Sequence, residues 1–144
     1  MKTHFSEEKL NSHIPSLLSV YRGNSKSKML SPGEMNQVSS SLLRLQRGLT
    51  GSRNLAGAGY MEDKSFLGAY LLYYWPVSYL QISYGFCSLE KKDFPKGELT
   101  AAKETVFRVL DVGSGPGPAG IAVCDVLTQQ KNSKVECTLI DFSS

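Results

Sequence analysis

The chain has 144 residues and a formal net charge of +3, with 41% apolar and 20% charged residues. That length suits one domain with a modest core. The composition excludes a collagen, a coiled coil, a disulfide mini-protein and a wholly disordered tail.

The start mixes charges and lacks an apolar run, so no signal peptide is expected. Residues 6–22 read as one or two short helical pieces. Ser6, followed by Glu7 and Glu8, suits an N-cap, and Pro15 suits the start of a second piece that buries Leu17, Leu18 and Tyr21. Residues 23–28 are a polar linker. The strongest helix signal follows: Ser31 as N-cap, Pro32 at the first helical position and Glu34 completing a capping box. Met35, Val38, Leu42, Leu45 and Leu49 recur at steps of three and four and share one face. Arg44 and Arg47 fall off that stripe, and Gly48 and Gly51 close the helix.

A loop of small residues, 51–60, contains Arg53. Helices are expected from Asp63 to Trp75 and from Val77 to Leu89. The uncharged stretch from Ser65 to Leu89 is long enough to span a membrane. Its central Pro76, its glycines, its serines and Gln81, and its scattered tyrosines favour two buried helices broken at Pro76 instead. The polar segment 91–98 separates a helical region, 1–98, from a second unit, 99–144. Residues 1–60 hold eight basic and three acidic residues, while residues 61–144 hold eight and ten. A basic front half hints at a polyanionic partner.

The second unit reads as a strand over 106–112, a glycine turn over 113–117, a helix over 118–130 and a strand over 135–141. Strand, turn, helix, strand is a βαβ unit, for which parallel pairing is expected. The fold class is therefore α/β. Cys87, Cys124 and Cys137 are odd in number and lack CxxC spacing, so neither a disulfide framework nor a metal site is expected. Each falls in an apolar run and reads as a buried free thiol in a reducing cytoplasm.

Asp111-Val-Gly113-Ser114-Gly115-Pro116-Gly117 lies where strand becomes helix. Residues without a Cβ allow a tight reversal and a close ligand, and the helix N-terminus behind them carries partial positive charge. Asp141 ends the second strand at the same sheet edge, where a carboxylate can accept hydrogen bonds from ribose hydroxyls. Phe142 could cover an adenine face or belong to the core. Two acids and three glycines outline a nucleoside crevice. Gly115 to Gly120 also fits GxGxxG with Asp141 21 residues on, the dinucleotide fingerprint. An acid at the strand end, with Gly113 as the first glycine after it, fits the S-adenosylmethionine pattern instead, and Asp111 suits the cationic methionine end of that donor.

With Leu43-Arg-Leu-Gln-Arg-Gly-Leu49, Tyr70-Leu-Leu-Tyr-Tyr-Trp-Pro-Val-Ser-Tyr79 and Arg108-Val-Leu-Asp-Val-Gly-Ser-Gly-Pro-Gly117, the sequence resembles the small-ribosomal-subunit methyltransferase-like proteins of bacteria and mitochondria. The resemblance implies a Rossmann-like S-adenosylmethionine methyltransferase core, of which this chain supplies only the first βαβ unit. It implies a donor site at Asp111, Gly113, Gly115, Gly117 and Asp141, and small-subunit ribosomal RNA as partner. Arg44, Arg47 and Arg53 are the candidate RNA contacts. Such a core has more strands than the two found here, and the cysteine cluster that some members carry is lacking. The chain therefore reads as the front of a longer protein, with no catalytic base assigned within it. A non-catalytic ribosome assembly factor and a dinucleotide-dependent oxidoreductase are the alternatives.

Overall fold

The computed structural model describes residues 2–23, 29–51, 55, 60–89, 105–129 and 133–141. It is mixed α/β, mostly helical, with one small parallel sheet of two strands. In chain order come α1 (Lys2–Arg22), α2 (Pro32–Gln46), a π turn (Arg47–Gly51), a 3₁₀ turn (Tyr60–Glu62), α3 (Lys64–Ala69), a second π turn (Tyr70–Tyr74), α4 (Trp75–Ser88), β1 (Thr105–Val112), α5 (Pro118–Leu127) and β2 (Ser133–Ile140). They form two compact units, Asn11–Val77 and Met1–Leu10 with Ser78–Phe142. The polar connection expected at 91–98 lies outside the described residues.

In the unit Asn11–Val77, the capping box forms as the sequence indicates. The Glu34 N–H donates to Ser31 Oγ (3.3 Å) and the Ser31 N–H donates to Glu34 Oε2 (2.7 Å), with Pro32 opening the helix. Arg22 adds a fork: its Nε and Nη2 donate to the two Glu34 carboxylate oxygens at 2.6 and 2.8 Å, and Nη2 also donates to the Met29 carbonyl. Leu45, Phe66 and Ala69 make the core, flanked by Leu42, Leu49, Leu55, Tyr60, Tyr70 and Tyr74. Met35 departs from expectation and is mostly exposed. α3 has only six residues, and the buried positions of α2, Ser41 and Leu45, lie in its C-terminal half. Gly68 has a packing role, since a Cβ there would stand 2.7 Å from the Tyr21 ring.

Two proline expectations are corrected. α1 is one helix with Pro15 inside it, not two pieces divided there. Pro15 and Asn11, whose carbonyl loses its partner, are both exposed, so water can satisfy that carbonyl. Nor does the chain break at Pro76. α3, the π turn and α4 run on without interruption, and the Trp75 N–H donates to the Tyr70 carbonyl, five residues back. The widened turn just before Pro76 makes room for its ring and its missing donor. Among the described residues, no helix is long and apolar enough to cross a membrane.

In the other unit, β1 and β2 pair in parallel, from Thr105 with Ser133 to Val112 with Ile140. β2 begins at Ser133 and ends at Ile140, which leaves Asp141 just beyond it. α5 stops at Leu127, short of the expected residue 130. The Thr128 hydroxyl donates back to the Asp125 carbonyl (2.9 Å), and a polar stretch follows. Tyr79, fully buried, donates its hydroxyl to Asp125 Oδ2 at 2.7 Å. Ser6 is not an N-cap: it lies inside α1, buried, with its Oγ 2.6 Å from Ser83 Oγ. The cysteines also differ from expectation. Cys87 and Cys124 are half-buried and Cys137 is exposed, on a sheet that has only two strands among the described residues.

Candidate functional site

Three glycines of the turn adopt left-handed backbone, with φ of +74° at Gly113, +49° at Gly115 and +78° at Gly117. L-residues with side chains adopt that region at a cost of roughly 1–2 kcal/mol, which explains the residue type at each position. Gly117 is also the N-cap of α5, and a Cβ there would come within 2.9 Å of Leu139 Cδ1.

The turn is stitched to the end of β2. The N–H groups of Gly113 and Ser114 both donate to the Ile140 carbonyl, at 2.7 and 3.1 Å, and the Gly117 N–H donates to the Ser114 carbonyl at 2.9 Å. The Gly115 N–H donates to Asp141 Oδ2 at 2.6 Å. Pro116 and Pro118 have no N–H to offer. From Gly113 to Gly117, every backbone donor therefore has an acceptor within the chain.

Asp111 points to the same end of α5. Its Oδ2 accepts the Gly120 N–H at 2.9 Å. Gly120 is a residue whose role the linear pattern left open. A Cβ there would stand 2.6 Å from Leu139 Cδ2, 3.1 Å from Asp111 Oδ2 and 3.3 Å from Cys137 Sγ. Its lack of a side chain brings α5 down onto the strands, and its place as the last glycine of GxGxxG was the available signal. The structure thus gathers Asp111, Gly113, Ser114, Gly115, Pro116, Gly117 and Asp141 at the carboxyl edge of the sheet. Phe142 lies outside the described residues.

Electrostatically this is a turn with two carboxylates drawn in beside it. Such a site favours a ligand that brings positive charge and hydroxyl donors. It opposes a pyrophosphate, which needs free N–H groups and meets two like charges.

Of the candidate RNA contacts, Arg44 and Arg47 are exposed in the helical unit, as their place off the stripe suggests. Arg44 lies over the Phe66 ring, 5.0 Å from its centroid. Arg53 lies outside the described residues. No family model matches the sequence, and neither a curated protein nor a solved structure matches it.

Proposed function

We propose that this chain is the front part of an S-adenosylmethionine-dependent methyltransferase-like protein that acts on, or helps assemble, small-subunit ribosomal RNA. The supporting observation is the pair of carboxylates turned onto a glycine turn whose backbone donors are already taken. S-adenosylmethionine carries an ammonium, a sulfonium and one carboxylate, so its net charge is positive, and its ribose offers two hydroxyl donors. Asp141, held beside the turn by the Gly115 N–H, would accept from the ribose, and Asp111 would face the cationic methionine end. When bound, the donor would supply a methyl group to a nucleophilic acceptor. This chain's part would be to bind and orient the donor.

The sheet supports the same reading. α5 packs against the side that carries Asp111, Cys137 and Leu139, yet Cys137 and Leu139 stay exposed there, as do Leu110, Val112 and Ile140 on the other side. Parallel sheets are covered on both faces, so this one has the form of the opening unit of a larger core.

Titration calorimetry with S-adenosylmethionine and, separately, NADH tests the reading. The methyl donor is expected to bind and NADH is not. Gly115→Ala is expected to abolish donor binding while the protein stays folded, because its Cβ meets nothing within 4 Å and only the backbone angle is strained. Equal donor affinity in this variant and the parent would remove the glycine turn as the site. Tight NADH binding would install the oxidoreductase reading, and donor binding without methyl transfer by the full-length protein would favour the assembly factor.

A further inference from the structure

The unit Asn11–Val77 carries the positive charge of the chain, with seven basic and three acidic residues. One of those acids, Glu34, is neutralised by Arg22. The same unit shows a row of aromatic rings. Arg44 lies on Phe66. Tyr70 and Tyr74 pack against the cluster that contains Phe66, with their own rings 5.7 Å apart and tilted by 34°. Tyr73 stands perpendicular to Tyr74, 5.2 Å away, and is 48% exposed. Tyr70, Tyr73 and Tyr74 all lie in the π turn Tyr70–Tyr74, and such wide turns recur at functional sites.

We propose that this row, from Arg44 to Tyr73, is a stacking surface for single-stranded RNA, with Tyr73 as the base-stacking side chain and Arg44 and Arg47 as the phosphate contacts. The inference rests on the reading of RNA as partner and gives that partner its form. Single strands are held by basic surface combined with aromatic faces, whereas a duplex hides its bases from such rings. An arginine stacked on a ring keeps the edge of its guanidinium for phosphate oxygens. Tyr73 is held against Tyr74, which meets Tyr70, and both of those pack on the core. An exposed ring held in this way loses little freedom when a base stacks on it.

Fluorescence polarisation with a labelled single-stranded RNA of about 12 nucleotides, at several salt concentrations, tests the surface. Tyr73→Phe is expected to bind like the parent. Tyr73→Ala is expected to bind about tenfold more weakly with the same salt slope, since stacking releases no counterions. Arg44→Gln with Arg47→Gln is expected to lower the slope by about one to two. Thermal melts of each variant report whether the fold is kept. If Tyr73→Ala binds like the parent, or a hairpin duplex binds better than the single strand, the stacking surface is overturned while RNA as partner stands. If the parent binds no RNA, both fall, and donor binding at the glycine turn is unaffected.

Discussion

Asp141 connects the two strands' ends through one carboxylate oxygen and a single backbone N–H. Replacing it with Asn keeps an acceptor for Gly115 but removes the charge. Donor affinity is expected to fall by about 1–3 kcal/mol, with little change in melting temperature, because the side chain is exposed. Calorimetry beside a thermal melt measures both. Gly117→Val and Gly120→Ala behave differently from Gly115→Ala, because each Cβ meets Leu139 at under 3 Å. Both are expected to lower the melting temperature as well as binding. At this scale the turn was legible in the sequence, since the glycines needed for left-handed backbone fall at every second position from 113 to 117. The role of Gly120 was marked only by its place in GxGxxG, because the Leu139 side chain that forbids a Cβ there comes from a strand nineteen residues away.

The elements were legible where their signals are local. The capping box of α2 falls within four consecutive residues, and Ser31, Pro32 and Glu34 play the parts their types suggest. Its ion pair with Arg22 holds the Glu34 carboxyl down to about 2, chiefly through the hydrogen bond from Arg22, with the Ser31 N–H adding to it. A carboxyl lowered in the folded state contributes stability above its ordinary value near 4.5 and loses it as the pH falls toward 2. Melting temperature is therefore expected to drop across that window. Glu34→Gln should be less stable at neutral pH and show a flatter acid limb. The prolines were misread because proline removes one donor wherever it stands, whereas the remedy depends on surroundings: exposed backbone at Pro15, a widened turn before Pro76. Tyr79 is a further element-level tie, holding α4 to α5 through Asp125. Burial pushes its phenol above the ordinary value, and the Asp125 carboxylate pushes the same way. Tyr79→Phe leaves that carboxylate without this donor and is expected to cost about 1–3 kcal/mol in a denaturant titration.

At the scale of the molecule, residues far apart in sequence complete one unit. Ser6 and Ser83 are both fully buried and hydrogen-bonded to each other, and Tyr84 donates to Glu7 close by. Ser6→Ala is expected to destabilise by about 1–3 kcal/mol because it takes from Ser83 the hydroxyl it bonds. Ser6→Ala with Ser83→Ala is expected to cost less than the sum of the two single changes, and a double-mutant cycle measures the difference. No local pattern announces such a pair, since serines at helix positions usually face water. The pairing also sets an order of events during synthesis. At 5–20 residues per second, Ser83 is made on the order of ten seconds after Ser6. Through that interval the Ser6 hydroxyl is without the Ser83 hydroxyl that it meets in the folded chain. Ser6 and Glu7 thus meet their partners Ser83 and Tyr84 only once the helix that carries those two has left the ribosome.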